Sequence, residues 1–227
     1  MKRVDVIVLS NTADEKFYGI TSQAIDTLRK SESDIFFDIV IVESNKQSRF
    51  EYEGCTVVVP EMEFHYNKFL NAGIARCANE WVACCNNDLI FHQGWMSEML
   101  KFSEKNPEVV SMSPIDPTCK KDAEKFPFWQ EAYAGYRVGA GNPLKGHCFV
   151  MKRSLVDKYS LFDEQFDFYG QDDDYGMTLK NGGEFHCLIT ASKVTHLGKK
   201  SHKLFGDKLK SKVMGKRSEL RSKWSKL

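Results

Sequence analysis

The stretch Trp81-Val-Ala-Cys-Cys-Asn-Asn-Asp88 predicts both a fold class and a place for chemistry. Its first five residues are apolar, which is typical of a strand that is covered on both faces of a sheet. Asn86, Asn87 and Asp88 then end the strand with side chains that either hydrogen-bond the local backbone or bind cations. From these residues alone, an Asx turn and a metal site both remain open interpretations.

Buried strands and amphipathic helices alternate on both sides of this stretch. Strands are predicted at residues 4–9, 38–43, 56–59, 81–85, 109–113, 147–151 and 189–196. Helices are predicted at residues 20–29, 64–77, 94–102 and 154–158. This alternation predicts an α/β fold, with a mostly parallel sheet flanked by helices.

Polar residues follow three of the predicted parallel strands. They are the segments Ser10-Asn11-Thr12, Glu43-Ser44-Asn45 and Asn86-Asn87-Asp88. In open α/β sheets, ligands bind in the crevice beyond the carboxyl ends of the strands. We therefore expect these segments to converge on one binding crevice. Residues 115–145 look loop-like and are long for an idle connection, so we interpret them as a candidate lid or binding loop.

The cysteines and the apolar runs indicate where the protein works. None of the seven cysteines forms a C-x-x-C pair, and several lie in strand-like apolar runs, where a reduced thiol behaves as a small hydrophobe. This usage favours a reducing cytoplasm. No apolar run approaches the roughly 20 residues that a membrane span needs, and we interpret the first residues as a strand rather than a signal peptide.

Charge is distributed unevenly along the chain. Residues 199–227 contain eleven Lys and Arg against two acidic residues, a net +9, so the first 198 residues carry −8 of the total of +1. Five apolar residues of this tail fall near one helical face: Leu209, Val213, Leu220, Trp224 and Leu227. A basic amphipathic helix suits DNA, an anionic lipid surface, or a solvated helix that caps the sheet.

Two segments resemble known glycosyltransferases. The stretch from Trp81 to Trp95 resembles the centre of family-2-type glycosyltransferases with the GT-A fold, in which a strand ends in D-x-D or N-N-D. Residues 64–73 are similar to a helix of the β-1,4-galactosyltransferases, in which K-x-L-N-x-G approaches the donor nucleotide. Lys68, Asn71 and Gly73 carry that match. The resemblance implies a GT-A, Rossmann-like fold over residues 1–200.

The segment 161–176 carries the most specific resemblance. It is similar to F-D-E-x-F followed by the W-G-G-E-D-D-D of galactosyltransferases. Aligned on Gly170, Asp172 falls at the position of the catalytic base, whereas Gln171 replaces the family's Glu and the family's Trp is missing. The resemblance implies acceptor contacts at Tyr169, Gly170 and Asp173.

The later segment 194–198 resembles the family's H-x-G segment, whose histidine often completes a metal site. The resemblance therefore implies that Asp88 and His196 bind Mn²⁺ or Mg²⁺. Donor contacts are expected at Ser10, Asn11, Glu43, Lys68, Asn71, Asn87, Lys145 and Gly146. By this interpretation, residues 1–113 bind the nucleotide sugar, residues 114–200 form the acceptor and catalytic half, and residues 201–227 form the basic helical tail.

Together these features predict a metal-dependent, inverting glycosyltransferase that uses a nucleoside diphosphate sugar, most commonly a UDP-sugar in this family. For the acceptor, the basic tail and an aromatic residue that can stack on a base, Trp129, favour a hydroxymethylated base in phage DNA, within the cytoplasm of a bacterial host. A lipopolysaccharide or capsule glycan is the alternative acceptor. A non-catalytic module that binds nucleotide sugars or nucleic acid is the alternative of another class.

Overall fold

The computed structural model describes residues 2–159, 162–166, 170–198, 219–220 and 222–225. The strands and helices that the sequence predicts within residues 1–198 are present, and β5, β7, α4 and α6 add to them. The elements are β1 (Lys2–Ser10), α1 (Glu15–Lys30), β2 (Ile35–Glu43), β3 (Thr56–Val58), α2 (Tyr66–Ile74), β4 (Trp81–Asn86), β5 (Leu89–Phe91), α3 (Trp95–Lys105), β6 (Val109–Ile115), α4 (Lys120–Lys125), β7 (Ala132–Ala134), β8 (Cys148–Lys152), α5 (Ser154–Tyr159), α6 (Gln171–Asn181) and β9 (Phe185–His196).

The described strands form one nine-stranded sheet in the order β3-β2-β1-β4-β8-β6-β9-β5, with β7 paired to β9. β3, β2, β1 and β4 are parallel, as are β6 and β9. β8 lies between β4 and β6 and runs antiparallel to both. The predicted α/β class is confirmed, and strands of both predicted halves interleave in the same sheet. Because β8 is antiparallel, its first residues lie at the carboxyl end of β4.

Apolar side chains cover both faces of the sheet, as the continuous apolar runs predict. Val6 and Val8 of β1 pack with Leu28 of α1 and with α3 on one face, whereas Ile7 packs with Phe69 of α2 and with α6 on the other. Burying each such side chain stabilises the fold by about 1.5–3 kcal/mol. Helices on both faces of the sheet therefore fix the positions of the carboxyl ends of the strands relative to one another.

One carboxylate interrupts the first apolar run and is nevertheless buried. Asp5 is 2% exposed, and its Oδ2 accepts hydrogen bonds from the backbone N–H groups of Ala78 and Asn79 at 2.8 and 2.7 Å. Its Oδ1 accepts a third from the Asn79 side chain at 2.8 Å. A buried charge is tolerated when it is hydrogen-bonded in this way, so Asp5 fastens the turn before β4 to β1.

Residues 115–145 are more ordered than the expected lid or binding loop. They contain α4 and β7, and β7 extends the sheet by pairing with β9. A buried ion pair fixes this region, since Lys145 Nζ lies 2.6 Å from Asp122 Oδ1 and both side chains are 1% exposed. Asp122 also accepts a hydrogen bond from Gly141 N at 2.7 Å. These contacts hold the region from inside, and its role as a lid or binding loop stays a prediction.

Most of the predicted basic tail lies outside the described residues. Of its apolar residues, Leu220 and Trp224 are described and helical, whereas Leu209, Val213 and Leu227 are not described. The tail as a separate basic helix therefore stays a prediction. Within the described ranges, no helix is both long and apolar enough to cross a membrane.

Replacing Asp122 with alanine tests the buried ion pair. We expect Asp122→Ala to lower the free energy of unfolding by about 3–5 kcal/mol, because it leaves the Lys145 ammonium buried without its counter-charge. Urea denaturation followed by circular dichroism measures the change. Glu124→Ala is the matched control, since it removes an exposed ion pair with Lys120 from the same helix and should cost less than about 1 kcal/mol. Equal, small losses of unfolding free energy in both variants would contradict the assignment of Asp122 and Lys145 as a buried ion pair.

Candidate active site

A network of hydroxyl and amide groups joins the carboxyl ends of β1 and β4. The Ser10 hydroxyl lies 3.1 Å from the hydroxyls of both Thr12 and Thr21. The Asn87 side-chain amide donates to Thr21 Oγ1 at 2.9 Å. Ser10 and Asn87, two predicted donor-binding residues, are thus linked through one threonine of α1. Asn11 is exposed at the rim of this network.

Glu43 occupies the end of β2 but is turned into the protein. Its Oε1 accepts hydrogen bonds from Thr12 N at 3.0 Å and Asn45 N at 2.7 Å, and its Oε2 accepts one from the Thr12 hydroxyl at 2.7 Å. The residue is 2% exposed. The expected direct contact between Glu43 and a nucleoside is therefore replaced by a role in joining the loops after β1 and β2. Thr12, which the sequence showed only as a strand-end residue, is the centre of that junction.

Asp88 and His196, the predicted metal ligands, lie together. Asp88 Oδ1 is 3.1 Å from His196 Nε2, and Leu197 N donates to Asp88 O at 3.0 Å. The pairing of β5 with β9 places Leu89 opposite His196 and so fixes this contact. Burial raises the pKa of the Asp88 carboxyl, but the hydrogen bond with His196 and its charge outweigh burial and leave the pKa below its usual value. Asp88 is therefore held as a carboxylate.

His147 is a residue of the site that sequence reasoning missed. Its ring stacks on His196, with 4.4 Å between ring centroids and 9° between planes. Burial, followed by the nearby charges of His196 and Lys145, lowers the pKa of His147 to about 3, so the imidazole is neutral. Its Nε2 is buried and has no hydrogen-bond partner among the described residues. The only signal in the sequence was its position at the start of a predicted strand.

The chemistry of this set suits a divalent cation that takes further ligands from a substrate. No group of three or more His, Cys, Asp or Glu within the described part of the chain forms a complete metal site. Asp88 supplies carboxylate oxygens and His196 an imidazole, and the buried Nε2 of His147 leaves a second neutral imidazole nearby. Mn²⁺ accepts oxygen and imidazole ligands, and Mg²⁺ commonly takes one or two carboxylates together with substrate phosphates.

Asp172 lies in the first turn of α6, directly against the backbone of Gly146. A Cβ atom built on Gly146 would lie 2.1 Å from Asp172 Oδ2, so only glycine permits this contact. Tyr66 donates its hydroxyl to Gly146 O at 3.3 Å from the other side. Burial, and next the charge of Asp173, raise the pKa of Asp172 to about 7. The structure therefore brings together Asp172 and Gly146, two residues that the sequence singled out separately.

The predicted acceptor residues are spread more widely. Gly170 has a left-handed backbone, with φ of 88°, and immediately precedes α6, where Asp173 is exposed in the first turn. Tyr169 lies outside the described residues. Trp129, between α4 and β7, is 81% exposed next to Phe128, which is 58% exposed. Trp129 thus presents a free aromatic surface, although no described contact links it to Asp172.

Lys68 and Asn71 do not reach the Ser10 network. Lys68 Nζ lies 4.0 Å from Glu164 Oε2, and the Asn71 amide donates to Phe162 O at 3.2 Å and to Glu164 Oε1 at 3.1 Å. Both side chains therefore contact residues 162–166, and the Lys68 side chain is still 39% exposed. The donor contacts expected at Lys68 and Asn71 stay a prediction.

Lys145, another of the predicted donor residues, has its side chain in the core. Its ammonium is enclosed with Asp122, and its backbone N donates to Ser113 Oγ at 3.0 Å. Burial lowers the pKa of Lys145, while the hydrogen bond with Asp122 opposes that shift. The expectation of a phosphate or sugar contact is wrong, because the side chain points into the core although the next two residues line the crevice.

The comparison with protein-family models decides the family. Residues 22–160 match the model described as Glycosyl transferase family 2. The chain belongs to glycosyl transferase family 2. It is therefore a glycosyltransferase, and members of the family generally use nucleotide-sugar donors and divalent metals. The match includes Asp88 and Gly146 and ends before Asp172 and His196. No curated protein matches the chain.

Replacing Gly146 tests whether its contact with Asp172 is needed for sugar transfer by this glycosyltransferase. We expect Gly146→Ala to lower the rate of sugar transfer by about 100-fold, because the added methyl group displaces the Asp172 carboxylate by an ångström or more. Steady-state kinetics with saturating donor measures the effect. Gly19→Ala is the matched control, because a Cβ there meets nothing within 4 Å. A fully active Gly146→Ala enzyme would show that the carboxylate can move without consequence.

Proposed function

We propose that this enzyme transfers a sugar from a nucleoside diphosphate sugar to an acceptor hydroxyl, with a divalent cation at Asp88 and His196. Asp172 is the proposed base. The observation that carries the proposal is the pair of neighbouring residues Gly146 and His147. Gly146 contacts the Asp172 carboxylate, while the His147 ring stacks on His196. The proposed base and the proposed metal ligands therefore flank one short stretch of backbone beside the end of β4.

The donor is proposed to bind across the ends of β1, β2 and β4. In this proposal Asn11 and Asn87 contact the nucleoside, with Ser10 and Glu43 holding the loops behind them. When bound, a divalent cation neutralises the charge that develops on the departing diphosphate. Asp88 and His196 would hold it through a carboxylate and an imidazole. A UDP-sugar is the proposed donor, as the family resemblance implies.

Asp172 is proposed to remove the proton from the attacking hydroxyl. An ordinary aspartate has a pKa near 4 and is a weak base, whereas a base is most effective when its pKa lies near the working pH. Burial of Asp172 and the charge of Asp173 raise its pKa to about 7. A single displacement with this base opposite the leaving group inverts the configuration at the sugar carbon. We therefore propose an inverting transfer.

For the acceptor we propose a hydroxymethylated base in phage DNA, modified in the cytoplasm of a bacterial host. Exposed Trp129 and Phe128 support this, because aromatic side chains stack on bases with about 1–3 kcal/mol each. The Lys193 ammonium lies 5.1 Å from the centre of the Phe128 ring and adds positive charge for a phosphate. All seven cysteines are free, which suits a reducing compartment. A lipopolysaccharide or capsule glycan is the alternative, since sugars also pack on exposed aromatic rings.

The pH dependence of the rate tests the base. Asp172 must be ionised to accept a proton, so kcat/KM should be low below pH 7 and rise to a plateau above it. Asp173→Asn removes the like charge and should move this rise to lower pH. Asp172→Asn should reduce turnover by about 100- to 10,000-fold while donor binding persists. Asp157→Asn, an exposed aspartate of α5, is the control, and an unchanged rate in Asp172→Asn would exclude it as the base.

Release of nucleoside diphosphate from a panel of sugar nucleotides tests the donor, the metal and the acceptor together. With Mn²⁺ and hydroxymethylcytosine-containing DNA, we expect stimulated release from one donor, and chelation with EDTA should abolish it. Asp88→Ala should remove the effect of Mn²⁺ on donor affinity. If only a surface glycan stimulates release, the glycan and not DNA is the acceptor. Failure of every donor to bind or react would contradict the proposed function.

A further inference from the structure

The segment 162–166 holds an unusual backbone conformation against α6, the helix that carries the proposed base. Phe162 has φ of 62°, which bulky side chains rarely adopt, and its side chain is 5% exposed. Its ring stacks on Tyr175 of α6, with 5.6 Å between centroids. A residue keeps such a strained conformation only when the surrounding contacts stabilise it. The contacts that hold this segment are therefore of functional interest.

Two asparagines of α2 hold the segment from one side. The Asn71 amide donates to Phe162 O at 3.2 Å, and the Asn67 amide donates to Asp163 O at 2.7 Å. Both bonds fix backbone carbonyls, so they set the path of the chain without using the Asp163 side chain. That side chain accepts a hydrogen bond from Gln165 N at 3.0 Å and also faces residues 222–225.

Two residues near the C-terminus hold the segment and α6 from the other side. Lys223 Nζ lies 2.9 Å from Asp163 Oδ2 and 2.8 Å from Asp174 Oδ1. The indole N–H of Trp224 donates to Asp174 Oδ1 at 2.9 Å. The Lys223 ammonium also lies 5.4 Å from the centre of the Phe166 ring. We call Lys223 and Trp224 the C-terminal clamp.

The clamp acts on the helical turn that carries the proposed base. Residues two apart on an α-helix point about 200° from each other, so Asp172 and Asp174 project from opposite sides of α6. Asp172 lies against Gly146, whereas Asp174, only 3% exposed, is held by the clamp. The first turn of α6 is thus contacted on one side by the backbone of Gly146, just before β8, and on the other by Lys223 and Trp224.

We propose that Lys223 and Trp224 are positioning residues for sugar transfer, holding the first turn of α6 so that the Asp172 carboxylate stays against Gly146. This inference rests on the proposed function, because it gives the clamp its role through Asp172. It assigns a role in positioning the base to part of the basic C-terminal segment, for which the sequence suggested an anionic partner or a solvated helix that caps the sheet. Here the lysine neutralises two carboxylates of its own protein.

The test compares point variants of the full chain in kinetics and in hydrogen exchange. Lys223→Ala should lower kcat by about 10- to 100-fold, because the base loses its position, and should leave the KM for the donor within about twofold of wild type. Amide exchange should accelerate in residues 162–166 and the first turn of α6, but not in β1 or β4. Lys223→Arg should restore kcat, since a guanidinium can span both carboxylates.

A matched control separates the clamp from a general ion-pair effect. Lys158→Ala removes a lysine from α5 whose Nζ lies 2.6 Å from Glu184 Oε1, away from Asp172, and should leave kcat and exchange in α6 unchanged. Trp224→Phe, which keeps a ring but loses the N–H, should lower kcat less than Lys223→Ala does.

The outcomes distinguish this inference from the proposed function. A Lys223→Ala enzyme with wild-type kcat overturns the inference alone. A variant in which donor KM rises and exchange accelerates throughout the sheet also overturns it, because the lysine would then serve stability in general. A wild-type protein that binds and turns over no sugar nucleotide overturns the proposed function, and the positioning role with it.

Discussion

The antiparallel insertion of β8 between β4 and β6 is the constraint on which the candidate site depends. It turns the start of β8, with Gly146 and His147, toward the carboxyl ends of the parallel strands, where the polar residues collect. A parallel strand in the same place would deliver its last residues there instead. The absence of a side chain on Gly146 then allows the Asp172 carboxylate to sit on the backbone itself.

Buried charge is used for structure as well as chemistry, and the two uses differ in their partners. Asp5 and Glu43 are surrounded by N–H and hydroxyl donors, and Lys145 is closed off by Asp122. These three charged groups are therefore paired or hydrogen-bonded within the protein. Asp172 instead has a neighbouring carboxylate and a desolvating backbone, which raise its pKa to about 7. Only the latter arrangement favours proton transfer near neutral pH.

Patterns of spacing predicted the elements well, because burial on both faces of a strand leaves a continuous apolar run. The resemblance to the family, rather than spacing alone, implied that Asp88 and His196 meet, as they do in the structure. Spacing failed for Lys145 because it does not say whether a side chain at a strand start points into the core or the crevice. His147 was missed for the same reason, since its stacking on His196 depends on the three-dimensional path of β8.

The strand order also bears on how the chain acquires its structure during synthesis. The parallel block β3-β2-β1-β4 is complete within the first 86 residues, so its ladders form from chain already made. β6, in contrast, ends at Ile115, and among the described strands it pairs with β8 and β9, which come later in the chain. Such long-range pairings are slow to form and expose unpaired strand edges meanwhile. The nascent chain therefore carries β6 as an aggregation-prone edge until β8 has been made.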